Sequence, residues 1–217
     1  PVLDRNSHPF RYGDFAMAHN GAGRPQDRLA QLLPPEWERR LSGSTDSERY
    51  FLHIMSRLGA RGGDVVAAVA DTVRHIRGNY TPNSLNAILL APSALYAISW
   101  HDPERIPYES IYARGGSDAD AAGYFNLACR AAADAVMVAS TGWPQQGWNI
   151  IPNGSVLKID RQTLATSVVT LLPLITPGLA ASLPRAGRDQ ARQPRRRHPR
   201  CRRPRPPAAR RRPRHPA

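Results

Sequence analysis

Two consecutive amphipathic helices are the feature of this sequence that most limits the folds available to it. The first begins at Thr45-Asp46-Ser47-Glu48, a capping-box sequence, and the second runs from about Asp64 to Ile76 and is closed by Gly78. The apolar side chains on one face of the first helix are Phe51, Ile54, Met55 and Leu58, and those of the second are Val65, Val66, Val69, Val73 and Ile76. Each helix therefore has one face to bury, and we expect the two to stack side by side.

Strand-like segments surround this helix pair. Asp14 to His19 precedes the helices and runs into Asn20-Gly21, a pair typical of a tight turn. Four apolar runs follow the helices, and several are apolar enough to predict burial on both faces. They are Asn86 to Ala91, Leu95 to Trp100, Ala135 to Ala139 and Val156 to Ile159. A strand, two helices and several further strands predict an α+β fold, built as a layered sandwich of helices and sheets.

Shorter segments are assigned from local composition. Arg28 to Leu33 and Glu36 to Leu41 are predicted to be short helices separated by Pro34-Pro35. Gly115 to Ala122 is predicted to be a surface loop. The Ala-rich segment Leu127 to Ala132 is predicted to be a helix in which Cys129 is a buried small residue.

The apolar runs are too short to predict a membrane protein. None reaches the roughly 18 residues needed to cross a bilayer, and the longest candidate, Thr170 to Leu183, is interrupted by Pro173 and Pro177. The only cysteines are Cys129 and Cys201, too few for a disulfide framework. We therefore expect a cytoplasmic protein with no membrane partner.

The net charge of +13 is carried by the C-terminal segment. Residues 184–217 contain 14 arginines, eight prolines and one acidic residue, while charges cancel in the rest of the chain. So few large apolar side chains cannot offset the entropy of ordering, which predicts a folded domain over residues 1–178 and a disordered tail over residues 179–217. The tail is typical of a solvated arm, or of a shifted reading frame in GC-rich DNA. Binding to nucleic acid is the less favoured alternative.

Three short polar segments lie at the edges of predicted elements: Asn6-Ser7-His8-Pro9-Phe10, His19-Asn20-Gly21 and Thr45-Asp46-Ser47-Glu48. Asn20 offers a side-chain N–H and Gly21 a backbone N–H, the two donors of an oxyanion hole, although the same pair also forms hairpin turns. Asp46 at a helix start suits the helix dipole, with or without a cationic ligand. His8 and His19 are more often packed, hydrogen-bonded side chains than catalysts.

The order, spacing and context of these segments resemble the class II glutamine amidotransferases of the N-terminal nucleophile hydrolase superfamily. Members of that family show an Asn-x-His-Pro segment, a strand ending in His-Asn-Gly and a helix opening Thr-Asp-Ser/Thr-Glu, as do Asn6 to Phe10, Phe15 to Gly21 and Thr45 to Glu48 here. The similarity extends to about Leu164. It includes Ser84 to Leu90, Leu95 to Ala97, Val138 to Ser140, Gly147-Trp148 and Ile151 to Gly154.

The resemblance implies an incomplete αββα sandwich of the N-terminal nucleophile hydrolase type and a partial amidotransferase domain over residues 1–178. The implied reaction hydrolyses glutamine to glutamate and ammonia, using an N-terminal cysteine whose own α-amine is the base. By resemblance, Asn20 and Gly21 form the oxyanion hole. Asp46, His19 and Thr45 bind the substrate, with Asp46 pairing its α-ammonium group, while Asn6 and His8 support the site. The implied partner is an ammonia-accepting synthase, and no cofactor is implied.

The chain departs from the family pattern at its start. Neither the nucleophilic cysteine nor the Arg-bearing segment that clamps the glutamine carboxylate is present, so we expect a chain cut into upstream and inactive as it stands. One alternative is hydrolysis of a γ-glutamyl amide, and another is a non-catalytic domain with a basic arm. Scattered histidine spacings disfavour a metal enzyme, and Gly62-Gly63 lacks the lysine and longer glycine frame of a phosphate loop.

We predict that the polypeptide of residues 1–217 releases no ammonia from glutamine, because neither Cys129 nor Cys201 has a free α-amine to act as its base. Ammonia production by the purified chain is measured in a coupled assay, with Cys129→Ser as the control for adventitious thiol chemistry. Ammonia release that is proportional to the protein concentration would contradict this prediction.

Overall fold

The computed structural model describes residues 3–21, 23–24, 29, 31–140 and 145–171, and a six-stranded antiparallel sheet lies at its centre. In spatial order its strands are β1 (Phe10–Tyr12), β2 (Phe15–Asn20), β5 (Asn86–Leu90), β6 (Ala94–Ser99), β10 (Ser155–Asp160) and β11 (Thr166–Thr170). Every neighbouring pair in this sheet is antiparallel. Two short strands, β3 (Gly23–Arg24) and β4 (Thr81–Pro82), pair with each other.

Two long helices cover one face of the six-stranded sheet. The described helices are α1 (Pro35–Glu38), α2 (Asp46–Leu58), α3 (Val65–Asn79), α4 (Tyr108–Tyr112) and α5 (Asp118–Gly123), with 3-10 turns at Asp4–Asn6, Gly59–Arg61 and Pro103–Arg105. The predicted apolar faces of α2 and α3 are confirmed, because their buried side chains share one core with Met17, Leu89 and Val156 of the sheet. The predicted stop at Gly78 is wrong, since α3 continues to Asn79 and the Tyr80 N–H bonds the Ile76 carbonyl.

A smaller sheet covers the opposite face. It contains β7 (Leu127–Ala131), β8 (Val136–Ala139) and β9 (Asn149–Ile151) in the order β8-β7-β9. Successive side chains of β10 point to opposite faces of the large sheet. Val156 packs in the core on the helix side, and Leu157 packs with Leu127 and Ile151 of the small sheet. The mixed fold with antiparallel sheets is therefore confirmed. Helices, the large sheet and the small sheet give three layers, and the complete αββα sandwich remains a prediction.

Two further segments differ from their predicted structure. Leu127 to Ala132 is not a helix, because β7 pairs with both β8 and β9 and buries Leu127 and Ala128, which outweighs the helix propensity of alanine. Within β7, Cys129 is half-buried rather than fully buried. The predicted loop at Gly115 to Ala122 contains the start of α5, which Ser117 and Asp120 fix by a reciprocal capping box.

Some predicted segments lie wholly or partly outside the described residues. The predicted tail over residues 179–217 lies outside the described residues. Of the two short helices predicted before α2, the second overlaps α1 only at residues 36–38, because α1 begins one residue earlier, at Pro35. The first includes residues that are not described. None of the helices in the described ranges has the length and apolar character that would let it span a bilayer.

We predict that Val156→Ala destabilises the protein by about 2–3 kcal/mol, because Val156 is fully buried between the large sheet and the helices and its truncation leaves a cavity. Val169→Ala is the matched control, since Val169 is the cross-strand partner of Val156 and is 40% exposed. Urea denaturation gives the free energy of unfolding of both variants. Equal losses would show that the core is not where the structure places it.

Candidate active site at the ends of two strands and a helix

The end of β2 contacts the first turn of α2 through a buried histidine. The Nδ1 atom of His19 lies 3.0 Å from the Ser47 hydroxyl oxygen, and its Nε2 atom lies 3.3 Å from the Ser84 carbonyl oxygen. The exposed fractions of His19 and Ser47 are 9% and 7%. Both ring nitrogens of His19 are therefore engaged by protein groups, and the ring joins β2 to the start of α2 and to the segment before β5.

The hydrogen-bond partners of His19 determine which of its ring nitrogens carries the hydrogen. A carbonyl oxygen only accepts, so Nε2 carries the hydrogen and donates it to Ser84, while the bare Nδ1 accepts from the Ser47 hydroxyl. Burial lowers the pKa of His19 below its ordinary value, although the nearby Asp46 carboxylate and the bond to Ser84 act in the opposite direction. His19 is consequently neutral at pH 7, with one defined tautomer.

Gly21 lies against this hydrogen bond with no space for a side chain. A Cβ atom built on Gly21 would lie 2.1 Å from the Ser84 carbonyl oxygen and 2.7 Å from His19 Nε2. Both distances are far below van der Waals contact, and the first is to main chain, which cannot rotate away. Glycine is therefore required here for a close backbone approach.

Side-chain oxygens of Thr45 and Glu48 accept hydrogen bonds from backbone N–H groups at and before the start of α2. The Thr45 hydroxyl oxygen accepts from the Glu48 N–H at 3.2 Å, and Asp46 is the first helical residue. The Glu48 carboxylate does not close the predicted capping box on Thr45, but instead accepts from the N–H groups of Ser42 and Gly43 at 2.7 and 2.8 Å. Backbone donors thus hold Glu48 against the loop before α2, and they fix where the helix begins.

Asn6 and His8 lie next to this helix start. The Asn6 side-chain oxygen accepts from the Ser44 N–H at 2.9 Å, which ties the segment before β1 to the loop before α2. His8 is exposed and packs edge-on against Phe10 at 5.0 Å between ring centroids. Partial desolvation by neighbouring groups lowers the pKa of His8, and the Asp46 carboxylate opposes that shift, as it does for His19. Asp46 therefore lies within electrostatic range of both histidines.

A cavity opens on the other face of β2, between the two sheets. It has a volume of about 160 Å³, and its lining residues are Ala18, His19, Asn20, Asn86, Ala87, Ile88, Leu127, Val138, Ala139 and Ser140. Asn20 and Asn86 are cross-strand partners, so their side chains lie on the same face of the sheet. Asp46 is not among these lining residues. His19 is, and it joins the cavity to the start of α2.

Three residues of this arrangement lie in segments quoted from the sequence but were given no role there: Ser47, Ser84 and Asn86. Asn86 is 2% exposed, donates to the Phe125 carbonyl at 2.6 Å and accepts from the Trp100 N–H at 2.9 Å. An asparagine that opens an otherwise apolar buried strand was the available signal. In the described part of the chain, no group of three or more His, Cys, Asp or Glu side chains is arranged to hold a metal ion.

Solved structures give the matches to this chain. A glutamine aminotransferase class-II domain protein from Silicibacter pomeroyi aligns with 76% of this chain and 71% of its own, with 21% identity and a TM-score of 0.53. The glutamine phosphoribosylpyrophosphate amidotransferase of B. subtilis aligns with 77% of this chain and 32% of its own, at 17% identity and a TM-score of 0.48. A predicted glutamine amidotransferase from Pseudomonas aeruginosa aligns with 71% and 62%, at 16% identity and a TM-score of 0.43.

The described fold is thus similar to that of a class II glutamine amidotransferase domain, which confirms the resemblance predicted from the sequence at the level of the fold. No protein-family model matches the chain, and no curated protein matches it. These similarities extend to the fold and assign no role to any individual residue of this chain.

We predict that Gly21→Ala lowers the free energy of unfolding by about 1–3 kcal/mol, because the new methyl group meets the Ser84 carbonyl. Gly78→Ala is the matched control. Nothing lies within 4 Å of a Cβ at Gly78, inside α3, so alanine should be neutral or stabilise by up to about 1 kcal/mol. Both are measured by urea denaturation, and equal stability of the two variants would show that Gly21 is not packed as described.

Proposed function

We propose that this chain binds L-glutamine as part of a glutamine amidotransferase, the reaction being hydrolysis of glutamine to glutamate and ammonia. In this proposal Asn20 and Gly21 donate to the reacting amide carbonyl and Asp46 binds the α-ammonium group. The observation that carries it is the 3.0 Å contact between His19 and Ser47. That contact connects β2, which contains Asn20, to the first turn of α2, which contains Asp46.

The carbonyl end of the proposed ligand lies at Asn20. Asn20 lines the cavity between the sheets, and Gly21, the next residue, has no side chain of its own beside its backbone N–H. An oxyanion that forms during amide hydrolysis needs such preorganised donors, each worth about 2.7–4 kcal/mol of transition-state stabilisation in comparable sites. Asn86, across the ladder from Asn20, is held by its own hydrogen bonds and keeps that wall of the cavity rigid.

The amino-acid end of the proposed ligand lies at the start of α2. A carboxylate and an ammonium group form a charge-assisted hydrogen bond, which is stronger than a neutral one. Thr45 keeps a hydroxyl hydrogen to donate, since its oxygen is the acceptor in the cap. Asn6 supports this end through its bond to Ser44, His8 lies within electrostatic range of Asp46, and His19 joins the two ends.

The nucleophile is not among the described residues in this proposal. Cys129, the cysteine within the described ranges, lies in β7, and burial raises the pKa of its thiol, which disfavours the thiolate that attacks a carbonyl. The described residues would therefore supply binding and oxyanion stabilisation. A synthase that accepts ammonia is the partner this function would require.

A second candidate is hydrolysis of a γ-glutamyl amide that carries an apolar group on its nitrogen. The observation that favours it is the apolar lining of the cavity beyond Asn20, which includes Ala18, Ile88, Leu127 and Val138. An apolar substituent would be buried there, whereas the small amide of glutamine leaves that wall uncovered. Competition between glutamine and γ-glutamyl anilide for the purified chain distinguishes the two, because only the second candidate predicts that the anilide binds more tightly.

We predict that Asp46→Asn weakens glutamine binding by roughly 10- to 100-fold, the loss expected for one charge-assisted hydrogen bond. Affinity is measured by NMR titration of the purified chain. Asp118→Asn is the matched control, because Asp118 is the first residue of α5 as Asp46 is of α2, and it should bind glutamine like the unmodified protein. Equal affinity of the two variants, or no glutamine binding by the unmodified chain, would overturn the proposal.

A further inference from the structure

We propose that Ser84 is a positioning residue whose hydroxyl orients the peptide between Asn20 and Gly21, so that the Gly21 N–H is held in the direction of a bound carbonyl. The inference rests on the proposed function, since it concerns the donors of that same site. Ser84 itself is fully buried and does not line the cavity, so its effect is exerted through the backbone of β2.

The Ser84 hydroxyl donates a hydrogen bond to the Asn20 carbonyl. The Ser84 hydroxyl lies 3.0 Å from the Asn20 carbonyl oxygen and accepts from the Asn86 N–H, also at 3.0 Å. Its remaining contact is a longer one of 3.4 Å to the Trp100 carbonyl. With the Asn86 N–H bound to its oxygen, the hydroxyl hydrogen is directed to these carbonyls, and Asn20 is the nearer.

Because the peptide between Asn20 and Gly21 is planar, the bond to the Asn20 carbonyl also determines the direction of the Gly21 N–H. In a trans peptide the carbonyl of one residue and the N–H of the next point in opposite directions. Because the Asn20 carbonyl is directed to Ser84, the Gly21 N–H is directed away from Ser84. Rotation of this peptide would break the Ser84 bond and turn the N–H away from its direction, so one hydroxyl controls the orientation of a proposed oxyanion donor.

The Ser84 carbonyl oxygen also packs against Gly21 and restricts the position of its backbone. The Ser84 carbonyl accepts from His19 Nε2 and is the atom that a Gly21 Cβ would strike. The other nitrogen of His19 is held by Ser47 at the start of α2. Ser84 thus holds Asn20 with its hydroxyl and packs against Gly21 with its carbonyl, while His19 ties that carbonyl to the helix that carries Asp46.

The experiment compares two ligands that differ only at the carbonyl end. L-Norvaline keeps the α-amino and α-carboxyl groups and a side chain of similar length but lacks the amide, so the ratio of its dissociation constant to that of L-glutamine measures the contribution of the carbonyl contacts. Ser84→Ala should reduce this ratio about fivefold or more, as expected for loss of one hydrogen bond, and leave norvaline affinity unchanged. A ratio that stays at the unmodified value would overturn the proposal.

Ser155→Ala is the matched control for stability. Ser155 is also buried and donates to a main-chain carbonyl, that of Pro152 at 2.6 Å, but it does not line the cavity. It should lose comparable stability and keep the full ratio. Ser84→Cys retains the packing with a weaker donor and should give an intermediate ratio, which a purely structural role for the hydroxyl does not predict. The cysteine variant also serves if Ser84→Ala does not fold.

A measurement without ligand separates failure of this inference from failure of the proposed function. Residual dipolar couplings give the direction of the Gly21 N–H vector in the free protein, and it should change in Ser84→Ala but not in Ser155→Ala. If the unmodified chain binds no glutamine and the vector changes, the function is wrong and the positioning role stands. An unchanged vector in Ser84→Ala overturns the positioning role, whatever the binding result.

Discussion

The register between β2 and β5 is the constraint on which the rest of the site depends. His19 pairs with Ala87 and Asn20 pairs with Asn86, so His19 lies on the helix side of the sheet and Asn20 on the cavity side. A slip of one residue would exchange these faces, placing Asn20 against α2 and the imidazole between the sheets. The buried Met17 and Leu89, which are cross-strand partners in the helix-side core, fix the register because the slip would also expel them.

The neutral state of His19 has a consequence for Asp46. A protonated imidazole this close to the Asp46 carboxylate would act as its counter-ion and compete with any cationic ligand. Burial prevents this, because it lowers the pKa of His19 by more than the carboxylate raises it. Within the proposed function, the packing of His19 against Tyr50 and Ser47 therefore does more than fill space, since it leaves the carboxylate available to an ammonium group.

Local periodicity was sufficient to predict the parts of the fold that depend on it. The faces of α2 and α3 and the strands β2, β5, β6, β8 and β10 follow from apolar spacing, and the start of α2 follows from the capping residue Thr45. The strand β7 was missed because its alanines favour a helix in isolation, and only pairing with β8 and β9 reverses that preference. The roles predicted for Asn20, Gly21 and Asp46 were assigned by resemblance to a family. The contact of Ser84 with Asn20 could not be predicted from local sequence, because the two residues are 64 positions apart.

Asn20 lies on the cavity side of the sheet and Asp46 at the start of α2 on its helix side, and Gly21 follows Asn20 at the end of β2. In the proposed function the ligand contacts both the Asn20 amide and the Asp46 carboxylate, so it would pass the strand end at Gly21. Any side chain there would meet the Ser84 carbonyl on the protein side. The Gly21 N–H is directed away from Ser84, so the requirement for glycine comes from packing against that carbonyl and not from exposure of the N–H. Packing alone therefore imposes glycine at this position, next to the donor that the proposed chemistry uses.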